Sequence, residues 1–344
     1  MNRRVPLLLL CVGVALLTAG VSPAPRAADA VCRVLSDPLR RLLAFISGLF
    51  PFPVFETAVL SLPLLLLLAV LLVRRRGLSS LASRAIAFSG VVFSLYLLLS
   101  VVPARRSAPA DPSPPSAEDF ASFALWLAER ANDDQAALQK TDGEGTPPAR
   151  ESVDELSAAV CETVAASGLC PTAPLRVKRT LFPGLLTRFG LLGYHVALTG
   201  EAVIDPSAPD YTLPFTAAHE AAHQAGVLPE GEASYAAYLA LTTSPDPALR
   251  YAGTAGALDA VLPRLSPAAQ TETVAALAPR VREDLLQFDG LLSPVGSGAV
   301  TGGNAAAVRL REGGSSASYD LFPVLACRRY LSSSRDAATP PAIY

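Results

Sequence analysis

The sequence is short of charge, of lysine and of histidine. Charged residues make up 17% of the 344 residues and hydrophobic ones 51%, a balance outside that of ordinary soluble proteins. A formal net charge of −2 leaves no basic excess to neutralise phosphates, so nothing points to a nucleic-acid partner. Lysine occurs only at Lys140 and Lys178, a bias that carries no functional reading. The five cysteines follow no zinc-ribbon spacing, which removes that class of metal site.

The three histidines are not scattered. His219 and His223 are four residues apart, with Glu220 directly after the first. Positions i and i+4 share one face of a helix. Both imidazoles can therefore reach one metal ion, with Glu220 beside them to act on a metal-bound water, the H-E-x-x-H arrangement of zinc hydrolases. In a chain so poor in histidine, a chance match is an unattractive explanation. The flanks fit a helix: Pro214 and Thr216 suit its start, Ala217, Ala218, Ala221 and Ala222 keep it slim, and Gly226 and Pro229 suit its end.

Glu230, Gly231 and Glu232 open a second helical run, ASYAAYLALTT. A third ligand is expected there, and Glu232 is the choice, placed to face back across the turn, with Glu230 at the turn facing solvent. A plain acidic helix start, favoured by the helix dipole, is the competing account of both.

The stretch TGEA at 199–202, followed by LPFTAAHEAAHQAG and EASYAAYLA, resembles the DUF3810 family of bacterial membrane proteins, which itself resembles gluzincin-type zinc metallopeptidases. Ser234 departs from that pattern, where Asn is commoner. The resemblance supports Glu232 as third ligand and supplies no substrate. It also covers NAAAVRLREGGSSASYDLFPVL, where a Gly-containing turn leads into a Ser-Tyr pair. Tyr319 is thereby a candidate hydrogen-bond donor at the site, against the alternative of core packing.

The apolar excess lies in the first 103 residues. Val5–Val21 follows Arg3 and Arg4 and reads as an uncleaved membrane helix. Ala28-Asp29-Ala30 keeps a cleaved signal peptide open as the alternative. Residues 57–73 and 85–102 are each about long enough to cross a bilayer. The arginines at 74, 75, 76 and 84 between them place that loop in the cytoplasm, so everything after Val102 falls outside. Residues 25–56, with Phe45, Phe50, Phe52 and Phe55, read equally as an interfacial segment or a packed connector. Cys11 sits in the first apolar run. Cys32, Cys161, Cys170 and Cys327 fall on the outer side, with Cys161–Cys170 the simplest local pair and free buried thiols the alternative.

Residues 104–117 form a Pro-rich tether, and 118–344 one outer domain. YHVALTGEAVI, 194–204, is its best strand, a candidate substrate-pairing edge at which Gly200 and Glu201 either approach substrate or form a turn-like break. His195, the remaining histidine, is a candidate oxyanion donor, with a structural or surface role as the commoner alternative.

The expected architecture is therefore mostly α: N-terminal transmembrane helices, then a helical, zincin-like α+β domain with a small sheet. The expected function is a zinc-dependent metallopeptidase of the bacterial inner membrane, multi-pass, with Zn2+ held outside the cytoplasm by His219, His223 and Glu232, and with a peptide or protein substrate. A non-catalytic zinc-binding membrane protein in envelope assembly or sensing is the alternative.

Overall fold

A computed structural model describes Gly13 and residues 25–76, 78–106, 114–142, 153–167, 175–291 and 317–333. The expected first membrane helix at 5–21 apart from Gly13, Cys11, Cys170 and the middle of the Pro-rich tether lie outside the described residues. The fold is mostly helical with one small three-stranded sheet. It divides into two compact units, residues 1–108 with 196–201, and residues 109–195 with 202–344.

In the first unit, helix α1 (Pro25–Val31) runs through a π-helical turn, Cys32–Ser36, into α2 (Asp37–Gly48). Then come α3 (Val54–Leu60), α4 (Leu62–Arg76) and α5 (Leu78–Tyr96), the last continued by a second π-helical turn, Leu97–Val101. The stretch Arg84–Arg105 is long and apolar enough to cross a bilayer. The expected span at 57–73 is not one continuous helix. It is the pair α3 and α4, bent by 49°, because Pro63 at the start of α4 brings no N–H to continue α3.

Beside a small apolar cluster of Ala28, Cys32 and Val102, this unit buries several polar groups and exposes many large apolar side chains. Ser36, Arg40, Ser47, Glu56, Ser94 and Ser100 are buried, whereas Leu42, Phe45, Ile46, Leu49, Leu64, Leu66, Ile86 and Phe88 are exposed. Several of the inner polar groups find partners. Ser36 Oγ donates to Leu98 O at 2.8 Å, and Asp37 pairs with Arg106 and lies 4.0 Å from Arg40. So many exposed large apolar side chains are costly in water and economical in hydrocarbon.

The turn at 196–201 groups with this unit. Gly200 has φ +67°, and a Cβ there would sit 2.5 Å from Ala44 N. Only glycine meets both demands. Glu201 is fully buried, and its carboxylate accepts the N–H groups of Val54 at 2.6 Å and Phe55 at 2.8 Å. It thus caps α3 at the end where the helix dipole favours negative charge.

The second unit contains α6 (Ala117–Asp142), α7 (Val153–Ala166), strand β1 (Val177–Arg179), the short α8 (Leu185–Arg188), β2 (Gly193–Val196) and β3 (Glu201–Ile204). It continues with α9 (Leu213–Ala225), α10 (Glu230–Thr242), α11 (Pro247–Val261), α12 (Pro267–Ala276), α13 (Pro279–Leu291) and α14 (Ala317–Ser333). The sheet order is β1-β3-β2, with β1 parallel to β3 and Val177 opposite Ala202. The single strand expected at 194–204 is two strands, because Gly200 N returns to Val196 O at 2.8 Å and closes a turn between them.

Helix α9 lies at the centre of the unit and packs on α7, α10 and α11. Its alanines 217, 218, 221 and 222 are fully buried, which lets neighbouring backbones approach closely. Around it sits a conventional core that includes Phe123, Leu127, Leu241, Tyr251 and Leu258. Cys161 and Cys327 belong to this core as free thiols, and Cys32 is a free buried thiol of the first unit. The disulfide reading thus gives way to buried thiols at these three positions.

Candidate metal centre

Helix α9 ends at Gly226, whose φ of 122° admits the reversal into α10. That reversal sets the start of α10 beside the histidine face of α9. His219 Nε2 lies 3.1 Å and His223 Nε2 3.3 Å from Glu230 Oε2. One ligand atom from each of these three residues falls within 4.8 Å of the others. The rings meet edge to face, with centroids 4.5 Å apart.

The far side of each ring is also engaged. His223 Nδ1 is 2.7 Å from Val227 O; a carbonyl can only accept, so Nδ1 carries a hydrogen and Nε2 is the nitrogen turned to the site. His219 Nδ1 is 3.1 Å from Ser234 Oγ. Such partners fix ring orientation at metal sites. Burial raises the Glu230 carboxyl pKa, but the charge and hydrogen bonds of His223 and His219 outweigh it and hold the group well below its ordinary range.

Glu232, the ligand expected from sequence, stands outside this cluster. Consecutive helical residues are about 100° apart, so Glu232 points roughly 200° around α10 from Glu230. Ser234, four residues after Glu230, returns to the same face. Glu230 and Ser234 therefore share the face that looks at α9. Glu232 is itself buried. The expectation that Glu230 faces solvent is corrected for the same reason: it is buried between the two imidazoles.

The cluster opens on a cavity of about 950 Å3, whose wall includes Glu220, His195, Tyr211, Phe215, Asp259 and Phe322. Glu220 is buried. His195 reaches the centre, its ring 6.0 Å from that of His223, so all three histidines of the chain gather here. Gly193, at the start of β2, lets the strand lie close to α9: a Cβ there would stand 2.8 Å from Val203 O and 3.1 Å from Glu220 Cγ. Gly200 and Glu201 are committed to the turn and the α3 cap described above. Tyr319 belongs to α14, but its side chain lies outside the described residues.

Several wall residues had no signal in the sequence. Phe322 comes from α14 and Asp259 from α11, and only tertiary packing brings them to α9. Ser234 had a signal, its i+4 spacing from Glu230.

The donor set is one that can hold a metal ion. Two imidazole nitrogens and one carboxylate converge, each ring with an outer partner in place, and the cavity leaves room for a further ligand. No curated protein and no solved structure matches the chain. The family model described as "Protein of unknown function (DUF3810)" matches residues 33–292, most of the length, and the chain belongs to the DUF3810 family.

Proposed function

We propose that the protein is a membrane-anchored zinc metallopeptidase with its site in the second unit. The observation that carries this reading is the convergence of His219, His223 and Glu230 on the wall of a cavity that Glu220 also lines. A zinc ion bound there would polarise a carbonyl and lower the pKa of a coordinated water toward ~7. His219, His223 and Glu230 would hold it. Glu220, adjacent to His219 on the same helix, would accept the proton of the attacking water and deliver it to the leaving amine. His195 would offer a hydrogen bond to the substrate carbonyl oxygen from the cavity wall. Tyr211, Phe215 and Phe322 would take an apolar side chain of the substrate and keep bulk water away.

The membrane part of the reading is supported by the apolar stretch Arg84–Arg105 and the bent α3–α4 pair, and by the many exposed large apolar side chains of the first unit. With the arginine-rich loop at 74–84 in the cytoplasm, the chain would be a multi-pass protein of the bacterial inner membrane, its second unit extracytoplasmic.

The test is peptide hydrolysis by the full chain in lipid nanodiscs, with and without Glu220→Gln, at equal zinc content. Loss of hydrolysis by at least ~100-fold in the variant is expected of a general base. Zinc bound equally with no hydrolysis of a broad peptide library by either form would move the assignment to a binding protein.

A further inference from the structure

Among the described residues of the second unit, exposed large apolar side chains concentrate in one short stretch of sequence. Among its described residues, the exposed large hydrophobics are Leu181, Phe182, Leu185 and Phe189, at 40%, 40%, 44% and 38%, with Leu286 elsewhere. The residues beneath that cluster are polar. Thr180, Thr187 and Asp205 are buried, and the Asp205 carboxylate accepts the N–H groups of Gly184 at 2.9 Å, Thr187 at 3.2 Å and Ser207 at 3.0 Å. Gly184, at φ +80°, makes the sharp entry into α8 that these bonds require. A buried carboxylate thus holds the segment in one shape, and that shape leaves its apolar side chains partly exposed.

Ordinary surface loops do not do this, because apolar area held in water costs free energy and marks an interaction site. The charges around the patch indicate the occupant. Arg179 and Arg188 are exposed beside it, giving an apolar tip with a basic flank. That combination suits an anionic bilayer surface: the rings and leucines enter the acyl boundary while the guanidinium groups stay at the phosphates.

We propose that residues 181–189 form a membrane-docking loop that inserts into an anionic lipid surface. The inference rests on the membrane-anchored reading above, which supplies a bilayer within reach of the tether. It has a consequence for the site. The chain runs directly from this loop into Gly190–His195, which line the cavity, and Leu191 N–H donates to Leu186 O at 3.0 Å. A docked loop holds that wall at the membrane surface, so the substrates served are polypeptide segments lying at or emerging from the bilayer.

The chain has a single tryptophan, Trp126, packed on Phe123 and Tyr330, so the position of a new indole can be read by fluorescence. The full chain is reconstituted in vesicles of phosphatidylglycerol and phosphatidylcholine with brominated acyl chains. In a Trp126→Phe background, Phe182→Trp reports the loop and Phe88→Trp reports the apolar stretch Arg84–Arg105. Native Trp126 serves as the water-side reference. Docking predicts that bromolipid quenches the Phe182→Trp chain at least ~2-fold more than the native chain, and that Arg179→Gln with Arg188→Gln reduces this quenching. Quenching of Phe88→Trp without quenching of Phe182→Trp overturns the proposal and leaves the anchor standing; the patch then belongs to a protein partner. No quenching at either position removes the anchor and the proposal together. All these substitutions are at exposed positions apart from Trp126→Phe, and circular dichroism checks that each chain is folded.

Discussion

Glu230 and Glu232 are both buried acids at the start of one helix, and removing each carboxylate in turn distinguishes their roles. In Glu230→Gln the shape is kept, but the charged oxygen 3.1 and 3.3 Å from the two imidazoles is replaced by a neutral amide. Loss of an outer partner of a metal ligand typically costs 10–100-fold in affinity, so loss of a direct ligand should reach at least ~100-fold, or about 2.7 kcal/mol. Glu232→Gln, on the opposite side of α10, should change zinc affinity by less than ~3-fold. The assay is competition for zinc against a chromophoric chelator at fixed pH, using the full chain in nanodiscs. Thermal melts run in parallel separate loss of the site from loss of the fold. Equal losses in the two variants, or the larger loss in Glu232→Gln, would refute the assignment of Glu230.

Ser234→Ala should weaken zinc binding by about 10–100-fold while leaving stoichiometry intact, because it frees the His219 ring to rotate; unchanged affinity in the same competition assay would count against an orienting role. Gly200→Ala should destabilise the first unit by at least ~1–3 kcal/mol, since it adds left-handed strain to a contact at 2.5 Å from the Ala44 backbone; an unchanged melting profile would contradict this. Burial pushes the Cys161 thiol up to about 11 and the Cys327 thiol up to about 12. At pH 8 only about one Cys161 in a thousand is a thiolate, so both thiols should resist iodoacetamide until the chain is denatured, as mass spectrometry of the modified peptides would show. Burial also raises the Asp284 carboxyl pKa, against the opposing pull of the Tyr251 hydroxyl and Arg280. The native state therefore holds that proton to higher pH than the unfolded chain does. The associated stability is greatest below the unfolded value and declines as pH rises through the raised one. Asp284→Asn should flatten that decline in denaturation curves taken across the acidic range.

Much of this arrangement is legible in the sequence because it is local. The i, i+4 spacing of His219 and His223 fixes one face of a helix, and Pro214 and Gly226 mark its ends. The run LPLLLLLAVLLV has no polar face to turn toward water. The failures come where phase or tertiary packing decides. Glu230 and Glu232 differ by about 200° around α10, and a composition-level reading of an acidic helix start cannot see that; the i+4 pairing of Glu230 with Ser234 can. Gly200 carried the signal for a strand break, and the turn at 197–200 is that break. The bend at Ser61 was signalled by Pro63 but masked by the apolar run around it. The cavity wall was not legible at all, because Phe322 and Asp259 reach the site only through the packing of α11 and α14 around α9.

The central claim is that His219, His223 and Glu230 form one zinc centre, and zinc K-edge X-ray absorption on the metal-loaded full chain tests it most directly. The account predicts one zinc per chain, nitrogen and oxygen neighbours at about 2.0–2.1 Å with imidazole outer-shell scattering, and no sulfur at about 2.3 Å. It also predicts loss of stoichiometric zinc in His223→Ala. A chain that takes up no stoichiometric zinc at neutral pH, or one whose zinc signal persists unchanged in His223→Ala, would contradict it.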